Sequence, residues 1–102
     1  MSASMAEYRI TRWREIPSLV TARADDGQTV KVQLPDRFQE AIDELAMRVG
    51  AAGSDAYLEG WAHDDWHPRE GDAGRVAADV ARELDESYPP QELSALATGA
   101  EA

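Results

Sequence analysis

Thr29-Val30-Lys31-Val32-Gln33-Leu34-Pro35-Asp36-Arg37-Phe38-Gln39-Glu40-Ala41-Ile42 is the stretch in which the chain changes its apolar period. Val30, Val32 and Leu34 alternate with Thr29, Lys31 and Gln33, the period of a strand with one apolar and one wet face. Leu34-Pro35-Asp36 then opens a helix. Phe38, Ala41, Ile42, Leu45, Ala46 and Val49 follow at helical spacing and form one apolar stripe. Asp36 is the expected N-cap, with Gln39 three residues later completing a capping box. Gly50 suits the C′ position that stops such a helix.

Upstream, residues 7–14 are rich in aromatic and β-branched types and read as a strand. Ile16-Pro17 interrupts it, and residues 18–24 resume as a second strand. Asp25-Asp26-Gly27-Gln28 supplies hairpin-turn chemistry before the strand at 29–34. Downstream, Ser54 caps a helical turn reaching about Glu59, although a strand fits the same residues. Residues 61–67 look extended and stop at Pro68. A last helix runs from about Asp72 to Tyr88, with Val76, Val80 and Leu84 four apart, and Pro89-Pro90 ends it.

Two helical stripes and one apolar sheet face need each other as cover. The expected fold is α+β, a two-layer sandwich of a three- to four-stranded antiparallel sheet on two helices, in the order βββαβα. Residues 7–88 form its single domain, with flexible tails at 1–6 and 89–102.

The chain has 102 residues, 20 acidic and 10 basic, for a formal charge of −10. Residues 1–50 hold 8 acids and 7 bases, while residues 51–102 hold 12 acids and 3 bases. The first half is therefore at −1 and the second at −9. That balance opposes non-specific attraction to nucleic acid or to an anionic membrane, which carry the same sign. Cysteine is absent, which excludes disulfides, thiolate metal sites and cysteine nucleophiles. No apolar run approaches the roughly 18–20 residues that span a bilayer, and the N-terminus lacks a secretory signal. A cytoplasmic protein is expected.

Two segments carry candidate chemistry. In residues 61–67, Trp-Ala-His-Asp-Asp-Trp-His, an extended backbone puts Trp61, His63, Asp65 and His67 on one face. Two imidazoles and a carboxylate invite a metal site. On a regular strand, however, His63 and His67 stand about 13 Å apart, too far to share one ion at metal–nitrogen distances of roughly 2.0–2.1 Å. The second candidate is the polar sheet face. Arg9, Thr11 and Trp13 alternate on the first strand, and Thr29, Lys31 and Gln33 on the third. Basic residues beside an aromatic can stack a heterocycle or hold an acidic group. The global charge makes an acidic protein surface the better form of that idea. Neither a P-loop nor a nucleophile elbow is present.

Three stretches resemble the small bacterial family of "virulence factor" domain proteins: Tyr8-Arg9-Ile10-Thr11-Arg12-Trp13-Arg14-Glu15-Ile16-Pro17, Leu34-Pro35-Asp36-Arg37-Phe38-Gln39-Glu40-Ala41-Ile42-Asp43, and Asp55-Ala56-Tyr57-Leu58-Glu59-Gly60-Trp61. Trp13, Tyr57 and Trp61 match its pattern. The resemblance implies stand-alone chains of this length and fusions between a NifU-like N-terminal scaffold domain and HEAT repeats. It also implies a setting beside corrinoid- and folate-dependent methyl-transfer proteins. It carries over no catalytic residue and no cofactor, and the fusion habit implies an interaction module.

Two readings from different classes result. The first is a non-catalytic accessory or adaptor protein docking a larger protein of a one-carbon or iron–sulfur system, with Arg9, Thr11, Trp13, Lys31, Tyr57 and Trp61 as binding residues. The second is a small enzyme or ligand carrier using His63, Asp65 and His67, with Arg9 or Arg12 anchoring an anion. Homodimerisation across an open sheet edge is compatible with either.

Overall fold

The computed structural model describes residues 5–51 and 53–98. Its elements are β1 (Met5–Trp13), β2 (Ile16–Ala24), β3 (Thr29–Gln33), α1 (Asp36–Arg48), α2 (Asp55–Glu59), β4 (Trp61–His63), β5 (His67–Glu70), α3 (Ala73–Ser87) and α4 (Pro90–Thr98). The fold is α+β, with helices layered on an antiparallel sheet ordered β3-β2-β1-β4. β5 also pairs with β1, so β4 and β5 share one edge: Trp61–His63 lie along Trp13 to Thr11, and His67–Glu70 along Tyr8 to Met5.

Alternation sorts the sheet into two faces. Ala6 and Ile10 of β1, Val20 and Ala22 of β2, and Val30 and Val32 of β3 turn inward to the core. They meet Val76, Ala77 and Val80 of α3, which crosses β2, β3 and β1, and Phe38 and Ile42 of α1. Full burial of such a side chain contributes about 1.5–3 kcal/mol. Among the described residues no helix is long and apolar enough to cross a membrane.

Several local expectations are corrected. Ile16-Pro17 does not interrupt β2; both residues belong to it and both are buried. Thr11 pairs with Leu19 but Arg12 pairs with Pro17, so Ser18 is the extra residue of a bulge. A bulge is one of the few strand positions where proline is tolerated. Asp36 is the first helical residue of α1 rather than its cap, Pro35 stands at the N-cap, and no side chain caps that end. Gln39 instead donates to Asp43 one turn ahead. Asp72, by contrast, caps α3 by accepting from the Arg75 amide.

The segment after Ser54 is helix, not strand. The tail expected at 89–102 is replaced over much of its length by α4, whose Leu93 and Ala97 are buried beside α1. Pro90 does stop α3, yet it also opens α4, because the first helical position needs no N–H donor. The expected N-terminal tail at 1–6 likewise extends too far, since Met5 and Ala6 already belong to β1. Residues 1–4 and 99–102 of the two expected tails lie outside the described residues.

Candidate functional site

The outer sheet face is built in rows fixed by register. Arg9 stands opposite Thr21, and Thr21 opposite Lys31. On one side of this row lie Glu7, Arg23 and Thr29; on the other lie His63, Thr11, Leu19 and Gln33. Three of these residues are cations and one is an acid. Arg23 pairs with Glu7 at 3.0 Å, both half-exposed. Arg9 and Lys31 have no ion-pair partner among the described residues. A positive patch thus stands on a chain of net charge −10.

Trp66 lies over this patch. Its ring sits 3.8 Å from the Arg23 guanidinium carbon and 4.6 Å from that of Arg9. Stacking uses the flat faces of guanidinium groups and leaves their in-plane N–H donors free to fork onto a carboxylate. The Arg9 Nε is buried with no hydrogen-bond partner in the fold. Arg23 already donates to Glu7, so the cations of this face left to meet an acidic group are Arg9 and Lys31, which have no ion-pair partner among the described residues.

The same segment takes the imidazoles apart. His63 pairs with Thr11 and the Asp64 amide donates to Ile10, while His67 pairs with Tyr8. Two steps along β1 are matched by three on its partner, so residues 64–67 contain one extra residue. A one-residue bulge flips every side chain beyond it. His63 therefore faces outward, where its Nδ1 lies 2.9 Å from the Thr11 hydroxyl. His67 comes out on the opposite face, beside Tyr8, where it is exposed at the sheet edge with its ring tilted against Tyr8 at 5.6 Å. The expected common face of His63, Asp65 and His67 does not exist, and among the described residues no three His, Asp or Glu side chains gather to hold a metal ion. Arg12, the other supposed anion anchor, is already engaged by Asp64 at 3.2 Å.

Trp13, Tyr57 and Trp61 do come together, but away from the patch. Trp13 is fully buried, so it is no stacking platform, contrary to the expectation of an aromatic on the open face. Its Nε1 donates to the Tyr57 carbonyl at 2.7 Å. Its ring lies 5.6 Å from Tyr57, and Tyr57 meets Trp61 edge-on at 6.0 Å. The Arg14 amide, in the tight β1–β2 turn, donates to the Gly60 carbonyl at 2.8 Å. These three aromatics clamp α2 to the hairpin. Of the residues expected to bind, Arg9, Thr11 and Lys31 share the open face.

Sequence reasoning missed Trp66 and Arg23. Trp66 follows Asp65 in a segment whose bulge hides its direction, and Arg23 carries no signal beyond alternation along β2. At the same edge, Arg69 of β5 forks onto Glu83 of α3 at 2.6 and 3.0 Å. That hydrogen bond holds the Glu83 carboxyl below its ordinary pKa and raises that of Arg69.

Fold and face together define a small α+β domain with a basic sheet surface over which Trp66 lies. The family model described as "Virulence factor" matches residues 11–97. The chain belongs to that family. No curated protein and no solved structure matches it.

Proposed function

We propose that the protein is a non-catalytic accessory or adaptor subunit that docks an acidic surface of a larger protein onto its open sheet face. The observation that carries this reading is the row of Arg9, Arg23 and Lys31 on one sheet face, the two arginines against Trp66, in a strongly acidic chain. An isolated surface charge pair is worth little. Several pre-organised cations on a rigid sheet give specificity and a fast, salt-sensitive encounter instead. The proteins of methyl-transfer and iron–sulfur systems that the family resemblance implies are the partners to test first, in the cytoplasm, with nucleic acid and membrane disfavoured by charge.

Native co-purification under low salt tests the proposal. A stoichiometric larger partner is expected with the wild type, weakened at least tenfold by Arg9→Glu with Lys31→Glu and by about 0.5 M salt, where screening acts within roughly 4–5 Å. Trp13 is unsuitable for this experiment because it is core. Recovery of the wild type alone, or a partner held equally well by the double variant, counts against the reading.

A further inference from the structure

A second surface differs in every respect from the sheet face. Met47 at the end of α1 is 72% exposed, more than any other large apolar side chain among the described residues. It borders an open depression of about 260 Å³ lined by Asp43, Ala46, Met47, Gly53 and Tyr57. That space accommodates one or two bulky apolar side chains. It lies where α1 ends and the loop to α2 begins, and its lining is mostly apolar.

The approach to this depression is acidic. Asp36, Glu40, Asp43 and Met47 are spaced four, three and four apart, one exposed ridge of α1. At 1.5 Å per residue the ridge runs about 16 Å. None of its three acids has an ion-pair partner among the described residues; Glu44, beside it, pairs with Arg48. An apolar seat at one end of an unneutralised acidic track has a definite complement. It is a helix or extended segment with an apolar anchor followed by lysine or arginine over three turns, the helix-in-groove mode of recognition.

We propose that the α1 ridge and the depression beside Met47 bind a basic amphipathic segment of a partner protein. The apolar side chain seats between Met47 and Tyr57, and the basic residues track Asp43, Glu40 and Asp36. Charge selects and orients the segment while apolar burial holds it. The site is separate from the sheet face and of opposite sign, so one domain bridges an acidic partner and a basic one.

The test uses the whole chain and a synthetic 14-residue leucine–lysine amphipathic peptide, with a leucine–glutamate peptide of the same pattern as control. Methyl and amide NMR shifts are expected to move at Met47, Ala46 and Tyr57 with the lysine peptide only. Met47→Ser should weaken binding about tenfold, and Glu40→Gln with Asp43→Asn about threefold, while Glu86→Gln on α3 changes nothing. All these residues but Ala46 and Tyr57 are exposed, so the variants fold. Shifts spread over α3, equal affinity for Met47→Ser, or no binding at millimolar peptide would each overturn the proposal.

Discussion

Gly60 shows how a single residue decides between two physical effects. Its backbone is right-handed helical, at φ −71° and ψ −21°, so glycine is not needed for conformation. Helix propensity alone then predicts that Gly60→Ala stabilises by up to about 1 kcal/mol. Space predicts the reverse, because a Cβ would stand 2.5 Å from Trp13 Nε1 and 2.6 Å from Cε2. Trp13 is fully buried and tied to Tyr57, so it has nowhere to retreat. Overpacking of this kind typically costs about 1–3 kcal/mol, and the clash wins. Urea denaturation of Gly60→Ala should show a midpoint below wild type; a higher midpoint would mean that the aromatic clamp is loose. This close approach has no signature in the sequence, where Gly60 reads only as the end of a helical turn. Alternation alone places Trp13 beside Arg9 and Thr11, and only the cover supplied by α2 removes it from solvent.

Among the elements, those with a strong period were readable and those without were not. β3 and α1 follow from the switch between Gln33 and Asp36, and α3 from the four-residue spacing of Val76, Val80 and Leu84. The edge opposite β3 is harder, because residues 61–67 read as one extended stretch ending at Pro68, while one extra residue splits the segment into β4 and a β5 that runs through Pro68. That single extra residue puts His67 on the opposite face from His63 and aims Trp66 at Arg9 and Arg23, which removes the metal site and builds the patch. α4 escaped notice because it buries only Leu93 and Ala97, and it buries them beside a helix rather than the sheet. Arg37 of α1 secures the same region, donating to the Asp85 and Tyr88 carbonyls at the end of α3 and to the Asp85 carboxylate. Leu93→Ala should therefore cost about 2–4 kcal/mol, read as a loss of thermal and urea stability. A frayed tail would tolerate that change with no measurable effect.

At the scale of the molecule, the uneven charge visible in the sequence resolves into surfaces of opposite sign. The first half is near neutral on average, yet it supplies both the basic sheet face and the acidic α1 ridge. The informative partition of charge is by element, since the basic sheet face and the acidic α1 ridge are neighbours in the chain. The two layers are also tied electrostatically, through Arg69 at the sheet edge and Glu83 on α3. Both side chains are partly exposed, at 31% and 49%, so the tie is worth only about 0.2–1 kcal/mol at neutral pH. Its pH dependence has a definite sign. The Glu83 carboxyl titrates lower in the folded state than in the unfolded chain, so the unfolded state binds the proton first as pH falls. The contribution is complete above the ordinary glutamate range and fades as pH drops through and below roughly pH 4. Arg69, raised further by the same contact, stays charged throughout. Wild type should thus exceed Glu83→Gln in unfolding free energy at pH 7 and converge with it near pH 3. A difference as large at pH 3 as at pH 7 would show that Glu83 acts through packing, and that the layers are held by their apolar contact alone.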